Sequence, residues 1–187
     1  MSAKRAIIIH GWGGSPEGNW FPWLAHELEG RGFEVRVPAM PDSETPNHVA
    51  WRKTLQELLP DPDESVLLVG HSLGCIAILQ YLESLRADQA VGGVILVSGF
   101  IRSLHNPVTD GFFADHTDMA KAGQRVVGNI VSIASDNDPY VSWEETEAMR
   151  AALPAAKLQT LDMHAAGHIN AAAGYTELPE ILTFIHA

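Results

Sequence analysis

One stretch, LLVGHSLGCIAI from Leu67 to Ile78, constrains the fold more than any other part of the sequence. Its first residues are apolar and typical of a buried strand, and its last residues are typical of a helix. Between them lies Ser72, with Gly70 before it and Gly74 after it. Glycines at these positions let a strand and a helix pass closely at a sharp turn, with the serine clear of the sheet edge. The pattern therefore predicts a nucleophile elbow, with a serine that only caps the helix as the alternative.

Short aliphatic runs recur along the whole chain, with room for a helix between them. Continuous apolar runs are typical of strands that are buried on both faces of a sheet. We predict strands at residues 6–10, 33–38, 65–70, 92–99, 130–135 and 157–162. We predict helices at residues 20–31, 48–59, 74–85, 143–153 and 178–186. The alternation predicts an α/β fold, with a doubly wound, mostly parallel six-stranded sheet and helices on both faces.

The length of 187 residues suits one domain with a substantial core, so we expect a single domain over residues 1–187. Residues 105–124 have turn residues and no strand period, and they include Phe112 and Phe113. This segment could form a short cap over a pocket. In the alternative, it forms an amphipathic helix and a loop that closes the sheet. An irregular segment has little reason to carry adjacent aromatics, so Phe112 and Phe113 are candidate substrate-pocket residues.

The charge and cysteine content exclude several classes of partner. With 23 acidic and 12 scattered basic residues, the chain has a formal net charge of −11, and we expect neither nucleic acid nor a membrane as a partner. The single cysteine, Cys75, excludes an intramolecular disulfide and a thiolate metal cage, and fits a reducing compartment. The apolar run before His10 is too short for a signal peptide, so we predict a cytoplasmic protein.

A serine hydroxyl is a weak nucleophile, and it needs a histidine as base and a carboxylate that orients the histidine. On this type of fold, the carboxylate follows the serine along the chain, and the histidine follows the carboxylate. Asp138 lies in SDNDPYV after the fifth predicted strand, and His168 lies in HAAGHINA after the sixth. Both loops leave the carboxyl ends of strands, where open α/β sheets build their sites. Asp136 is a second candidate for the acid. In the alternative interpretation, Asp136 is a turn residue whose carboxylate holds the backbone of its own loop. His164 and His168 could pair on a metal, but they lack a third ligand at suitable spacing, so we predict no metal and no cofactor.

The negative charge that develops on an attacked carbonyl oxygen needs prearranged N–H donors. One candidate is the backbone N–H of Leu73, at the positive end of the elbow helix. The other is the backbone N–H of Trp12, in the glycine-rich turn HGWGGSP, and the Trp12 side chain is a further pocket candidate. A strand order of 2-1-3-4-5-6 would place this turn and Ser72 at one crevice. We expect His10, in the same turn, to bond to the loop backbone rather than to act as a base.

Several segments resemble the small YdeN-like branch of the α/β-hydrolase superfamily, which is related to retinoblastoma-binding protein nine. They are HGWGGSPEGNWFPWL, MPDSETPNHVAW, GHSLGCIAIL, GGVILVSGF and SDNDPYV. The resemblance runs from about Ile7 to the last helix, and it implies a reduced α/β-hydrolase fold without the first two strands of larger relatives. It also implies Ser72 as nucleophile, Asp138 as acid and His168 as base. Ile169 departs from the pattern, since relatives often carry an aromatic residue there.

Together these features predict a serine hydrolase that cleaves a small carboxylic ester or related acyl compound through an acyl-enzyme intermediate. The same residues would also serve a thioesterase or a peptidase. The alternative from another class is a catalytically silent protein-binding module with a hydrolase fold. A serine, an aspartate and a histidine in the required order argue against it, because a scaffold has no physical need of all three. The partner that we expect is a small acyl molecule, and the sequence identifies no protein partner.

Overall fold

The computed structural model describes residues 3–185, in which parallel strands form one sheet in the order β2-β1-β3-β4-β5-β6. The strands are β1 (Lys4–Ile9), β2 (Phe33–Arg36), β3 (Val66–His71), β4 (Gly93–Val97), β5 (Ile130–Ser135) and β6 (Leu158–Met163). The predicted fold class and strand order are confirmed, and the strand ends differ from the predicted ones by a few residues. This order places the loops after β1 and β3 at the point where the chain reverses its direction across the sheet.

Helices connect the strands and cover both faces of the sheet. They are α1 (Phe21–Gly30), α2 (His48–Leu58), α3 (Leu73–Ser84), α4 (Met119–Gln124) and α5 (Trp143–Ala152). The helix predicted at residues 178–186 is instead a 3₁₀ helix, Pro179–Phe184, and the predicted end at His186 lies outside the described residues. Within residues 3–185, no helix has both the length and the apolar character needed to cross a membrane.

The core has two layers, one on each face of the sheet. In β1, Ile7 and Ile9 contribute to the layer that contains residues of α2 to α5. Ala6 and Ile8 point to the opposite layer, which α1 and the final 3₁₀ helix complete. Burial on both faces explains why the inner strands are continuous apolar runs, whereas the edge strand β2 alternates between half-buried and exposed residues.

The segment predicted as a candidate cap, residues 105–124, contains a 3₁₀ helix, Asp110–Phe113, followed by α4. Phe112 is 1% exposed and packs edge to face on Trp51, with ring centroids 5.4 Å apart. From α3, Gln80 donates a hydrogen bond to the Phe112 carbonyl oxygen. Phe113 is half-buried, and its ring centroid lies 5.6 Å from that of Phe100. Phe112 therefore belongs to the core, and it does not line an open pocket as the sequence had suggested.

Candidate active site

Ser72 lies at the turn from β3 to α3, with φ 55° and ψ −121°, a backbone conformation that residues other than glycine rarely adopt. Both glycines of the motif are required by close approach. A Cβ on Gly70 would lie 3.0 Å from Cα of Cys75, and one on Gly74 would lie 2.4 Å from the carbonyl oxygen of Ile9. The Ser72 side chain makes no capping hydrogen bond to α3, so the structure has the predicted elbow geometry and not the helix cap.

Asp138 and His168 are joined by a hydrogen bond, with His168 Nδ1 2.7 Å from Asp138 Oδ2. Because a carboxylate accepts, Nδ1 carries the proton, and Nε2 is left to accept one. The other carboxylate oxygen accepts from the backbone N–H groups of Tyr140 and Val141, at 2.9 and 3.0 Å. Burial alone would raise the pKa of Asp138, but the hydrogen bonds from His168 and the two amides outweigh it and hold this pKa below its ordinary value. The carboxylate therefore remains charged beside the imidazole.

His71, which directly precedes Ser72, holds the backbone of His168 near the nucleophile. Its Nε2 donates to the His168 carbonyl oxygen at 2.9 Å, and the two ring centroids are 4.8 Å apart. Ser98 Oγ donates to the same carbonyl at 3.3 Å. Within residues 3–185, no hydrogen bond joins Ser72 to the His168 ring. A hydrogen bond between a nucleophile and its base often reaches its full geometry only in the complex with substrate.

The turn after β1 lies against Ser72, because a Cβ on Gly11 would be 2.9 Å from Cβ of Ser72. In the part of the chain that the structure describes, the backbone N–H groups of Trp12 and Leu73 donate to no acceptor. Leu73 begins α3, so its N–H also lies at the positive end of the helix dipole. The Trp12 ring is 47% exposed, and its Nε1 donates to the Glu44 carbonyl oxygen at 2.9 Å, which fixes the ring.

His10 stiffens this turn, as the sequence predicted. Its Nε2 accepts from the backbone N–H of Met40 at 3.0 Å, and its Nδ1 donates to the Gly11 carbonyl oxygen at 2.8 Å. Burial lowers the pKa of His10, which keeps the ring neutral. Both ring nitrogens are therefore occupied, and His10 has no free nitrogen with which to act as a base.

Asp136 contacts the loop that follows β6. Its Oδ2 accepts from Nδ1 of His164 at 2.5 Å, and its Oδ1 accepts from the Ala165 N–H at 2.8 Å. These two hydrogen bonds lower the pKa of Asp136, that from Ala165 the more. The sequence predicted that Asp136 would hold the backbone of its own loop, whereas both of these hydrogen bonds go to the neighbouring loop, after β6. Among residues 3–185, no group of three or more His, Cys, Asp and Glu side chains is placed to hold a metal ion.

Three further residues at this site were not identified from the sequence. Ser135 and Asn137 accept hydrogen bonds from the backbone of the His168 loop. Their signal was a run of four polar residues, SDND, that begins at the last residue of β5. Tyr140 is 67% exposed and presents its ring at a steep angle to His168, with centroids 5.0 Å apart.

Comparisons with known proteins agree with the fold and with the resemblance noted in the sequence. YdeN of Bacillus subtilis (strain 168) is 34% identical over 181 residues, which cover 94% of this chain and 91% of YdeN. The crystal structure of the ydeN gene product matches with a TM-score of 0.89 at 33% identity, covering 97% of each chain. The serine hydrolase RBBP9 of Rattus norvegicus is 29% identical over 151 residues, 78% of each chain. The family model described as serine hydrolase matches residues 6–187, almost the whole length, and the chain therefore belongs to the serine hydrolase family.

Proposed function

We propose that the protein hydrolyses a small carboxylic ester or related acyl compound through an acyl-enzyme. In this proposal Ser72 is the nucleophile, His168 is the base, and Asp138 is the acidic residue that orients His168. The observation that carries this proposal is the 2.7 Å hydrogen bond between His168 Nδ1 and Asp138 Oδ2. It assigns the proton to Nδ1 and leaves Nε2 to take a proton from a serine hydroxyl. Membership of the serine hydrolase family supports the same chemistry.

The proposed reaction has two halves that use the same residues. In the first, His168 Nε2 takes the proton of Ser72 Oγ as this oxygen attacks the carbonyl carbon, and the N–H groups of Trp12 and Leu73 bind the oxyanion. Collapse of the tetrahedral intermediate expels the leaving group, which Nε2 protonates. In the second half, His168 Nε2 takes a proton from a water that attacks the acyl carbon. The bond between this carbon and Ser72 Oγ then breaks, the carboxylic acid leaves, and Nε2 returns the proton to Oγ. Asp138 stays ionised throughout and stabilises the imidazolium.

Trp12 is the pocket candidate that we retain as a substrate contact. It belongs to the turn that lies against Ser72, and its fixed ring is 47% exposed. Phe112 is enclosed by the core, and Phe113 is half-buried in the segment that packs on α3. We therefore propose that the acyl or leaving group contacts the Trp12 indole, since a fixed aromatic ring binds apolar groups with little loss of conformational entropy.

A fluorophosphonate probe tests the nucleophile, because it traps a serine that is activated by a neighbouring imidazole. We expect a single adduct, on Ser72, and no adduct in Ser72→Ala. Ser142→Ala is the matched control, because this serine precedes α5 and its side chain makes no capping hydrogen bond. An adduct on another residue, or none on the folded wild-type protein, would contradict the proposal.

A panel of p-nitrophenyl esters of rising chain length tests the substrate class. We expect hydrolysis that Ser72→Ala abolishes, and activity restricted to short chains would indicate a shallow site. Dialysis against EDTA should leave the rate unchanged, and a loss that zinc restores would implicate His164 and His168 in metal binding instead. Failure to cleave any ester, combined with absence of labelling, would favour the alternative of a silent binding module.

A further inference from the structure

Three consecutive residues at the end of β5 and the start of the loop after it bind the loop after β6 through their side chains. Each accepts one backbone hydrogen bond from the loop that carries His168: Asp136 from the N–H of Ala165 at 2.8 Å, Ser135 from the N–H of Ala166 at 2.9 Å, and Asn137 from the N–H of Gly167 at 2.8 Å. Asp138 then accepts from the His168 ring itself. We call the three backbone contacts of Ser135, Asp136 and Asn137 the loop clasp.

The loop that carries His168 has an unfavourable backbone conformation. Ala165, Gly167 and Ile169 have φ values of 52°, 57° and 47°. This left-handed region is disfavoured for residues with a Cβ, most of all for a β-branched one such as Ile169. Such conformations persist only where surrounding contacts fix them. His168 lies between two of these residues, so any relaxation of the loop would move its ring.

Asn137 links the loop that carries His168 to another member of the clasp, Ser135. Its Oδ1 accepts from the Gly167 N–H and from the Ser135 hydroxyl, both at 2.8 Å. The Ser135 hydroxyl is therefore used twice, since it donates to Asn137 and accepts from Ala166. Ser135 is 2% exposed, so water cannot easily replace a lost partner. Removal of the Asn137 oxygen would free the residue directly before His168 and would leave the Ser135 proton without its acceptor.

The other contacts of this loop hold a different part of it. His71 and Ser98 donate to the His168 carbonyl, and Trp20 Nε1 donates to the Ile169 carbonyl at 2.9 Å. These bonds fix the chain at His168 and directly after it. The clasp fixes the chain before His168, and so controls the direction from which the imidazole approaches Asp138.

We propose that Asn137 is a positioning residue, which holds the His168 imidazole against Asp138 through Gly167 without itself touching the substrate. The inference rests on the proposed roles of His168 and Asp138 in hydrolysis. An amide suits this position better than a carboxylate does. A carboxylate at residue 137 would keep both hydrogen bonds, but it would add a second negative charge near the imidazole and favour the protonated form.

Two substitutions of Asn137 separate positioning from simple stability. Asn137→Ala should lower kcat by roughly 10- to 100-fold with KM changed little, because a small displacement of a catalytic base slows chemistry more than binding. Asn137→Asp should recover most of kcat at high pH, and the acid limb of its pH profile should move to higher pH. Asn170→Ala is the matched control: its Oδ1 accepts from the Ala173 N–H at 3.0 Å, beyond His168, and kcat should stay near wild type.

A direct readout is the downfield proton resonance of His168 Nδ1, which reports the bond to Asp138 and does not require turnover. We expect it to shift upfield or broaden in Asn137→Ala and to persist in Asn137→Asp and Asn170→Ala. The inference is overturned if Asn137→Ala keeps the resonance and the wild-type kcat, or if Asn137→Asp is as impaired as Asn137→Ala. If Ser72→Ala remains active, the proposed function fails instead, so the two failures are distinguishable.

Discussion

His71 Nε2 donates to the backbone carbonyl oxygen of His168, so the residue before the proposed nucleophile holds the backbone of the proposed base. A carbonyl oxygen only accepts, so Nε2 must carry the proton. Trp20 and Phe21 lie against the His71 ring, with centroids 6.0 and 5.9 Å away. Burial, with a smaller effect of the His168 charge, lowers the pKa of His71 to about 3. His71 therefore stays neutral at any pH at which the enzyme is expected to work.

The first prediction is that the protein loses stability as the pH falls below 6.5, the ordinary pKa of histidine, towards the folded value of about 3 for His71. In that interval the unfolded chain binds a proton at His71 and the folded chain does not, so the free energy of unfolding decreases as pH falls, by at most ~1.4 kcal/mol per pH unit. Urea unfolding at about pH 7.5 and about pH 5 measures the effect. His71→Gln keeps an N–H donor and should have a shallower slope, with the remaining slope partly due to His10. Equal slopes in both proteins would contradict the prediction.

The second prediction concerns which aspartate orients the base. Asp138→Asn should leave the imidazole in the wrong tautomer and lower turnover by roughly 10⁴-fold, the scale known for loss of a triad aspartate in a protease. Asp136→Asn keeps an oxygen for the Ala165 N–H and should cost far less. Turnover of the two folded variants decides the matter, and a severe loss in Asp136→Asn with a mild one in Asp138→Asn would reverse the assignment.

The third prediction concerns the elbow glycine. In Gly74→Ala, the new Cβ would lie 2.4 Å from the Ile9 carbonyl oxygen, and the backbone of β1 or α3 must shift. We expect a loss of about 3 kcal/mol or more in the free energy of unfolding, at the upper end of the range for overpacking. Gly30→Ala is the control, because nothing lies within 4 Å of its Cβ position at the end of α1. That variant should be more stable by about 0.5–1 kcal/mol.

The fourth prediction tests where the adjacent phenylalanines act. Phe112→Ala removes a core ring that packs on Trp51 and should cost about 3–5 kcal/mol of stability. Phe113→Ala removes a half-buried ring and should cost clearly less. Chemical denaturation of the two variants gives the comparison. Equal and small losses, together with a raised KM for ester substrates in Phe112→Ala, would restore Phe112 as a pocket residue.

The sheet was largely predictable because its inner strands are buried on both faces. The run Ile7 to Ile9 is apolar throughout because successive side chains enter opposite core layers. The last helix was predicted less well. Residues 179–184 contain apolar residues at helical spacing, but the segment forms a 3₁₀ helix after Leu178. Apolar spacing alone does not distinguish a short 3₁₀ helix from an α-helix, because both bury one face.

At the site, the sequence indicated the elbow, but it did not indicate the backbone contacts between the loops after β5 and β6. The elbow at Ser72 is local, because its glycines, strand and helix are contiguous. The partners of Asp136 and Asn137 lie about thirty residues further along, and only the pairing of β5 with β6 brings them into reach. The burial of Phe112 was missed for a similar reason, since the Trp51 ring that packs against it belongs to a helix that is distant in the sequence.

The two halves of the proposed active site belong to parts of the sheet that differ in how firmly they are held. β3, which leads to Ser72, lies between β1 and β4, whereas β6, which leads to His168, is the outer strand next to β5 in the sheet of residues 3–185. Outer elements open locally at a lower free energy than the centre of a domain. Partial opening at this edge of the sheet would displace His168, the proposed base, and would leave Ser72 in the turn after β3. The pairing of β6 with β5 would then limit how long the protein stays active. Heat or denaturant would abolish activity while most of the fold is still intact.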